Sequence, residues 1–67
     1  MIDWKSLPAF LAVARAGSLR GAAEQIGGTH ATVRRQVEAL EARLGAQLFR
    51  RGADGLALTA AGRMLLP

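Results

Sequence analysis

Apolar residues recur with the period of a helix as far as Gly45, and then the period changes. Leu7, Phe10, Leu11 and Ala14 stand at i, i+3, i+4 and i+7, one stripe of a helix expected over roughly residues 4–16 and stopped by Gly17. Pro8 constrains its start. With Asp3 as the cap, the missing N–H of Pro8 costs a hydrogen bond inside the helix. With Ser6 as the cap, Pro8 falls in the first turn at little cost, so a start near Ser6, or an irregular first turn before it, is predicted. Ser18 caps a second predicted helix over 19–26, whose buried face is Leu19, Ala22, Ala23 and Ile26; the paired alanines allow another helix to approach closely. Gly27 and Gly28 end it, and Thr29 caps a third helix over 30–44. Its core face is Val33, Val37, Leu40 and Leu44, with Glu38, Glu41 and Arg43 expected in solvent and Gly45 as the stop.

Beyond Gly45 the runs are short. Residues 47–50 read as a strand, 52–55 as a turn and 56–58 as a second strand, a small hairpin in the shape of a wing. Thr59 caps a last helix that reaches Pro67 after barely two turns, so it must pack or fray. The predicted fold is mainly α: a winged helix-turn-helix with a three-helix core, a β-hairpin wing and the start of a further helix. There is no internal repeat or low-complexity tract. Trp4 is expected as a satellite of the core. With 67 residues the chain suffices for one small domain, which buries only about 60% of its unfolded surface and is marginally stable.

Charge adds a direction. Nine Lys and Arg against five Asp and Glu give a net charge of +4, and eight of the nine are arginine. Charge of this size constrains solubility and nonspecific binding, not fold, but the planar guanidinium fork suits phosphate and guanine. There is no cysteine, so neither disulfides nor thiolate metal sites arise. One histidine and five carboxylates form no metal cluster, and no nucleophile stands with a base and an orienting acid, so neither catalytic residues nor a metal or cofactor are expected. No run approaches 18 apolar residues, and Asp3, Lys5 and Pro8 interrupt anything like a signal peptide; a cytoplasmic protein without a membrane partner is expected.

The run from Ser18 to Val37, two hydroxyl-capped helices joined by a glycine turn, is the layout of a helix-turn-helix. In that arrangement the second helix of the pair presents its N-terminal residues to base edges in the major groove of double-stranded DNA. The base-reading candidates are His30, Ala31, Thr32, Arg34 and Arg35; at about 100° per residue Arg34 and Arg35 cannot point the same way, so one can take a base and the other a phosphate. The phosphate candidates are Ser18 and Thr29, whose helix starts offer backbone N–H groups, together with Arg20, Arg50 and Arg51.

The chain resembles the N-terminal domain of the LysR-type transcriptional regulators over about residues 2–66. The resemblance rests on Phe10-Leu11-Ala12-Val13-Ala14 with Gly17-Ser18, then Ala22-Ala23-Glu24, Arg35-Gln36-Val37 with Leu40-Glu41, Leu44-Gly45, Leu48-Phe49-Arg50-Arg51 and Leu58-Thr59-Ala60-Ala61-Gly62. It implies a bacterial regulator that binds specific DNA sequences as a homodimer or tetramer and continues through a linker helix into an effector-binding domain. On that view residues 1–58 are the DNA-binding domain, and 59–67 begin a linker helix cut off at Pro67, with any small-molecule effector bound by a domain absent here. Four positions depart from the family pattern. His30 stands where glutamine is usual, Arg34 where serine is usual, Gly28 where an apolar residue supports the core, and Asp54 where the wing tip is basic. The first two imply a different base preference. Gly28 implies a looser turn. Asp54 opposes phosphate beside the wing, an effect Arg50 partly offsets because many members carry an acid there.

A second reading is a winged helix that binds protein rather than nucleic acid. It predicts an exposed apolar patch and acids among the first residues of the third helix, whereas 29–36 contain none.

Overall fold

The structure, a computed structural model, describes residues 6–66. The elements run α1 (Ser6–Ala16), α2 (Leu19–Ile26), α3 (His30–Leu44), β1 (Phe49–Gly52), β2 (Gly55–Leu58) and α4 (Ala60–Leu65). The helices follow the sequence expectation closely because each boundary carries its own chemistry. The Ser18 hydroxyl accepts the Gly21 N–H at 3.0 Å, and that of Thr29 accepts the Thr32 N–H at 3.3 Å, each satisfying one donor that the helix start leaves orphaned. At the far end of α3 the Glu41 carbonyl accepts both the Gly45 and Ala46 N–H groups, which closes the helix. Ser6 is already helical and buried, so it is not the cap; Asp3 and Trp4 lie outside the described residues. Pro8 falls early in the described helix.

Helices α1, α2 and α3 pack on one another around Phe10, Val13, Ala22, Val33, Val37 and Leu40, all buried. The expected α1 stripe needs correction. Ala9, Ala12 and Val13 are buried with Phe10, while Leu7, Leu11 and Ala14 are only half-buried around them. α1 is covered by α2, α3 and the hairpin from several directions, so most of its circumference is interior and no single narrow stripe describes it. Ile26 and Leu44, expected inside, are 43% and 42% exposed, because each sits at the last turn of its helix, past the region where the three helices cross.

The hairpin is antiparallel and pairs Phe49 with Leu58, Arg50 with Ala57, Arg51 with Leu56 and Gly52 with Gly55 around Ala53-Asp54. Its first strand starts two residues later than expected. The reason is that Leu48 is otherwise engaged: its N–H donates to the Glu41 carboxylate at 2.8 Å and its carbonyl accepts the Thr59 N–H at 3.0 Å. Glu41 is therefore a half-buried structural acceptor, not the solvated charge expected. Phe49 brings the hairpin root onto the core, its ring centroid 5.4 Å from that of Phe10 in a tilted pair. α4 is capped by Thr59, whose hydroxyl accepts the Gly62 N–H at 3.1 Å and donates to the Gln47 carbonyl. The helix packs rather than projecting freely: Gly62 is buried, with no room for a Cβ against the Leu48 carbonyl, and Leu65 packs on the core. Among the described residues no helix is long and apolar enough to cross a membrane.

Candidate nucleic-acid interface

Two adjacent glycines set the path between α2 and α3. Gly27 and Gly28 both have positive φ, 82° and 108°, a region that costs other residues strain. The Gly27 N–H still bonds back to the Ala23 carbonyl, so the turn is closed on its α2 side. Both glycines are exposed and a Cβ at either would meet nothing within 4 Å. What retains glycine there is backbone conformation, not crowding.

The turn delivers α3 with its first residues in solvent. His30, Ala31, Arg34 and Arg35 are exposed and Thr32 is half-buried. Around the helix, about 100° per residue places Ala31 and Arg35 within about 40° of each other on the crest opposite the buried Val33, Val37 and Leu40. His30 and Arg34 share one flank at the same spacing, and Thr32 lies on the other. The crest is a small side chain followed one turn later by a long cation, a shape that allows close approach with Arg35 leading. Among the described residues neither Arg34 nor Arg35 has a hydrogen-bond or ion-pair partner, so both forks are unengaged.

The capping hydroxyls keep capacity to spare. Ser18 Oγ accepts from Gly21, which leaves its own proton to donate outward. The hydroxyls of Thr29 and Thr32 lie 3.2 Å apart, so one donates to the other and a single proton of the pair remains available. Both caps stand beside unpaired N–H groups of a helix start, which attract anions. Neither α2 nor α3 has an acid in its first turn. α2 has eight residues, a length of about 12 Å.

The wing adds Arg50 and Arg51, both exposed on β1 and, among the described residues, without partners. Arg20 is exposed on the first turn of α2. Asp54 is exposed at the hairpin tip, as the sequence suggested. All ten candidate residues are thus at least partly accessible, and none is spent in the core. Arg63 was not a candidate. It is exposed on α4 and donates to the Leu58 carbonyl at 3.2 Å, so it fastens α4 to the hairpin. Nothing at this surface holds a metal: the described residues contain no group of three or more His, Cys, Asp or Glu suited to one.

Residues 4–63 match the family described as bacterial regulatory helix-turn-helix protein, lysR family. The chain is 48% identical over 66 residues to the HTH-type transcriptional activator AmpR of Yersinia enterocolitica, covering 98% of this chain and 22% of that one. The CbnR DBD–DNA complex superposes with a TM-score of 0.90 at 40% identity, covering 97% of this chain and 75% of that one. The BenM DBD in complex with catB site 1 DNA superposes with a TM-score of 0.87 at 30% identity, over 94% of this chain and 71% of that one. The chain spans only about a fifth of the length of the AmpR relatives it matches, 22% and 23%.

Proposed function

Because this chain belongs to the LysR family of bacterial regulatory helix-turn-helix proteins, we propose that it binds double-stranded DNA in a sequence-specific manner and so directs transcription, acting in the bacterial cytoplasm as a binding protein and not an enzyme. The observation that carries this reading is the start of α3: an exposed, acid-free crest with two unengaged arginines, beside two hydroxyl-capped helix starts that carry no acid in their first turns. Arg35 leads into the major groove and reads a base edge with His30, Ala31, Thr32 and Arg34 beside it. Ser18, Arg20, Thr29, Arg50 and Arg51 hold phosphates on either side. The relatives solved with DNA support DNA as the partner. Residues 1–58 form the reading domain and 59–67 begin a linker helix that joins it to the rest of a dimeric or tetrameric regulator, whose effector is bound elsewhere in that protein.

The test is selection of bound duplexes from a random pool, followed by polarisation titrations of the winning sequence across salt. Arg35→Ala is expected to cost roughly 1–3 kcal/mol and to relax preference at one base position. Arg51→Ala is expected to weaken all sequences alike and to lower the slope of log affinity on log salt by about 1. Equal affinity of the wild type and Arg34→Ala/Arg35→Ala forms would remove α3 from the groove.

A further inference from the structure

The wing is fastened to the helix-turn-helix at a point the base-reading scheme does not use. The Leu56 N–H, which points away from the partner strand, donates to the Gly17 carbonyl at 2.9 Å. Gly17 lies in the turn between α1 and α2, and the peptide that supplies this carbonyl also carries the N–H of Ser18, the cap of α2. Leu56 stands directly across the hairpin from Arg51. One peptide unit therefore ties the start of α2, with Ser18 and Arg20, to the strand position that faces Arg51.

This junction depends on the residue before Leu56. Gly55 has φ +117°, and a Cβ there would lie 2.6 Å from the Gly17 oxygen, closer than real Cβ contacts come. The atom it would meet is backbone in a tight turn, with no flexible side chain to yield. Alanine at 55 must therefore push the wing off the turn and break the Leu56–Gly17 bond. By contrast, the tip of the hairpin at Ala53-Asp54 is exposed and carries no such restriction.

Building on the DNA-binding reading above, we propose that Gly55 is a positioning residue for the phosphate contact: it leaves room for the Gly17–Leu56 hydrogen bond, and that bond sets Arg51 at a fixed place relative to Ser18 and Arg20, so that wing and α2 engage one DNA backbone together. Gly55 itself touches no DNA. Its effect passes through Arg51.

The test is a double-mutant cycle with the selected duplex, using wild type, Gly55→Ala, Arg51→Ala and the double variant, each checked by circular dichroism for its helical fold. Gly55→Ala is expected to bind roughly ten-fold more weakly, the scale of one charge-assisted hydrogen bond, with a salt slope shallower by about 0.9. Arg51→Ala is expected to matter in the wild type and hardly at all in the Gly55→Ala background, a non-additivity that a general loss of stability does not produce. Should Gly55→Ala not fold, a synthetic chain with an ester in place of the Leu56 amide deletes the N–H without adding bulk, and the same cycle is run on it. Additive effects, or an unchanged affinity and salt slope in a wild type that binds DNA, overturn this proposal alone. A wild type that binds no duplex overturns the DNA-binding reading, and this proposal with it.

Discussion

Ser18 caps α2 through the Gly21 N–H, and on the proposed reading the same oxygen offers its proton to phosphate. The two can be separated. Aspartate caps as well as serine but presents a carboxylate where phosphate should sit. Ser18→Asp is expected to hold its melting temperature within a few degrees while DNA affinity falls several-fold. Ser18→Ala is expected to lose about 1 kcal/mol of stability, a fall in melting temperature of about 4–8 °C for a domain this size. Thermal melts beside polarisation titrations decide both. At this scale most of the site was legible. The hydroxyl caps, the glycine turn and the adjacent arginines announce themselves because capping and positive φ are local chemistry. The engagement of the Thr29 and Thr32 hydroxyls was not, since it depends on side-chain rotamers that no spacing rule fixes.

Among the elements, the third helix also holds the chain well beyond its own end. Glu41, about two turns beyond Arg34, accepts the Leu48 N–H, while the carbonyl of Leu48 accepts the N–H of Thr59, the cap of α4. Leu48 is thus held from α3 on one side and from α4 on the other, and the hairpin begins only after it. Removing the carboxylate leaves a part-buried N–H without its acceptor. Glu41→Ala is expected to cost about 1–2 kcal/mol, at the lower end of the range for hydrogen bonds to charged groups because Glu41 is half exposed to water. Glu41→Gln, which keeps an acceptor oxygen, is expected to cost less. Chemical denaturation with an unchanged m-value would check both; equal losses in the two variants would mean that the charge, not the hydrogen bond, matters. The sequence pattern assigned Glu41 to solvent because it lies off the stripe of Val33, Val37 and Leu40. Helical periodicity marks which side chains face other helices and says nothing about a backbone donor arriving from a distant loop.

For the molecule as a whole, size and charge set how it can bind. Its longest extents are 26 Å, less than the 34–36 Å of one helical turn of DNA, so on the proposed reading one domain covers one half-site and a second copy is needed for a two-fold site. An open apolar groove of about 280 Å³ lies between the end of α3 and α4, lined by Leu44, Ala46, Leu48, Ala61, Met64 and Leu65. Met64, at 86% exposure, stands at its rim, on the helix proposed to lead into the linker. On the proposed reading the net charge of +4 makes DNA binding dependent on salt, and the acid Asp54, exposed at the wing tip, opposes phosphate there. Asp54→Lys changes the charge by +2. It is expected to tighten binding to all duplexes and to steepen the salt slope by up to about 0.9. Unchanged affinity and slope from 50 to 200 mM salt would place the wing tip away from the DNA backbone.

The sequence by itself determined the helices, the caps of α2, α3 and α4, the glycine stops and the cationic start of α3, because each depends on residues within one or two turns of one another. It also determined family membership, since Leu44-Gly45, Leu48-Phe49-Arg50-Arg51 and Leu58-Thr59-Ala60-Ala61-Gly62 keep their order and spacing. Only the tertiary structure decided which faces are interior. α1 is covered from several sides, whereas Ile26 and Leu44 protrude past the helix crossings. It alone decided the position of the wing, which rests on contacts between residues far apart in the chain: Gly17 with Leu56, Glu41 with Leu48, and Phe10 with Phe49. Hydrogen bonds and ring contacts between such residues depend on how the whole chain closes, and no local period or propensity encodes them.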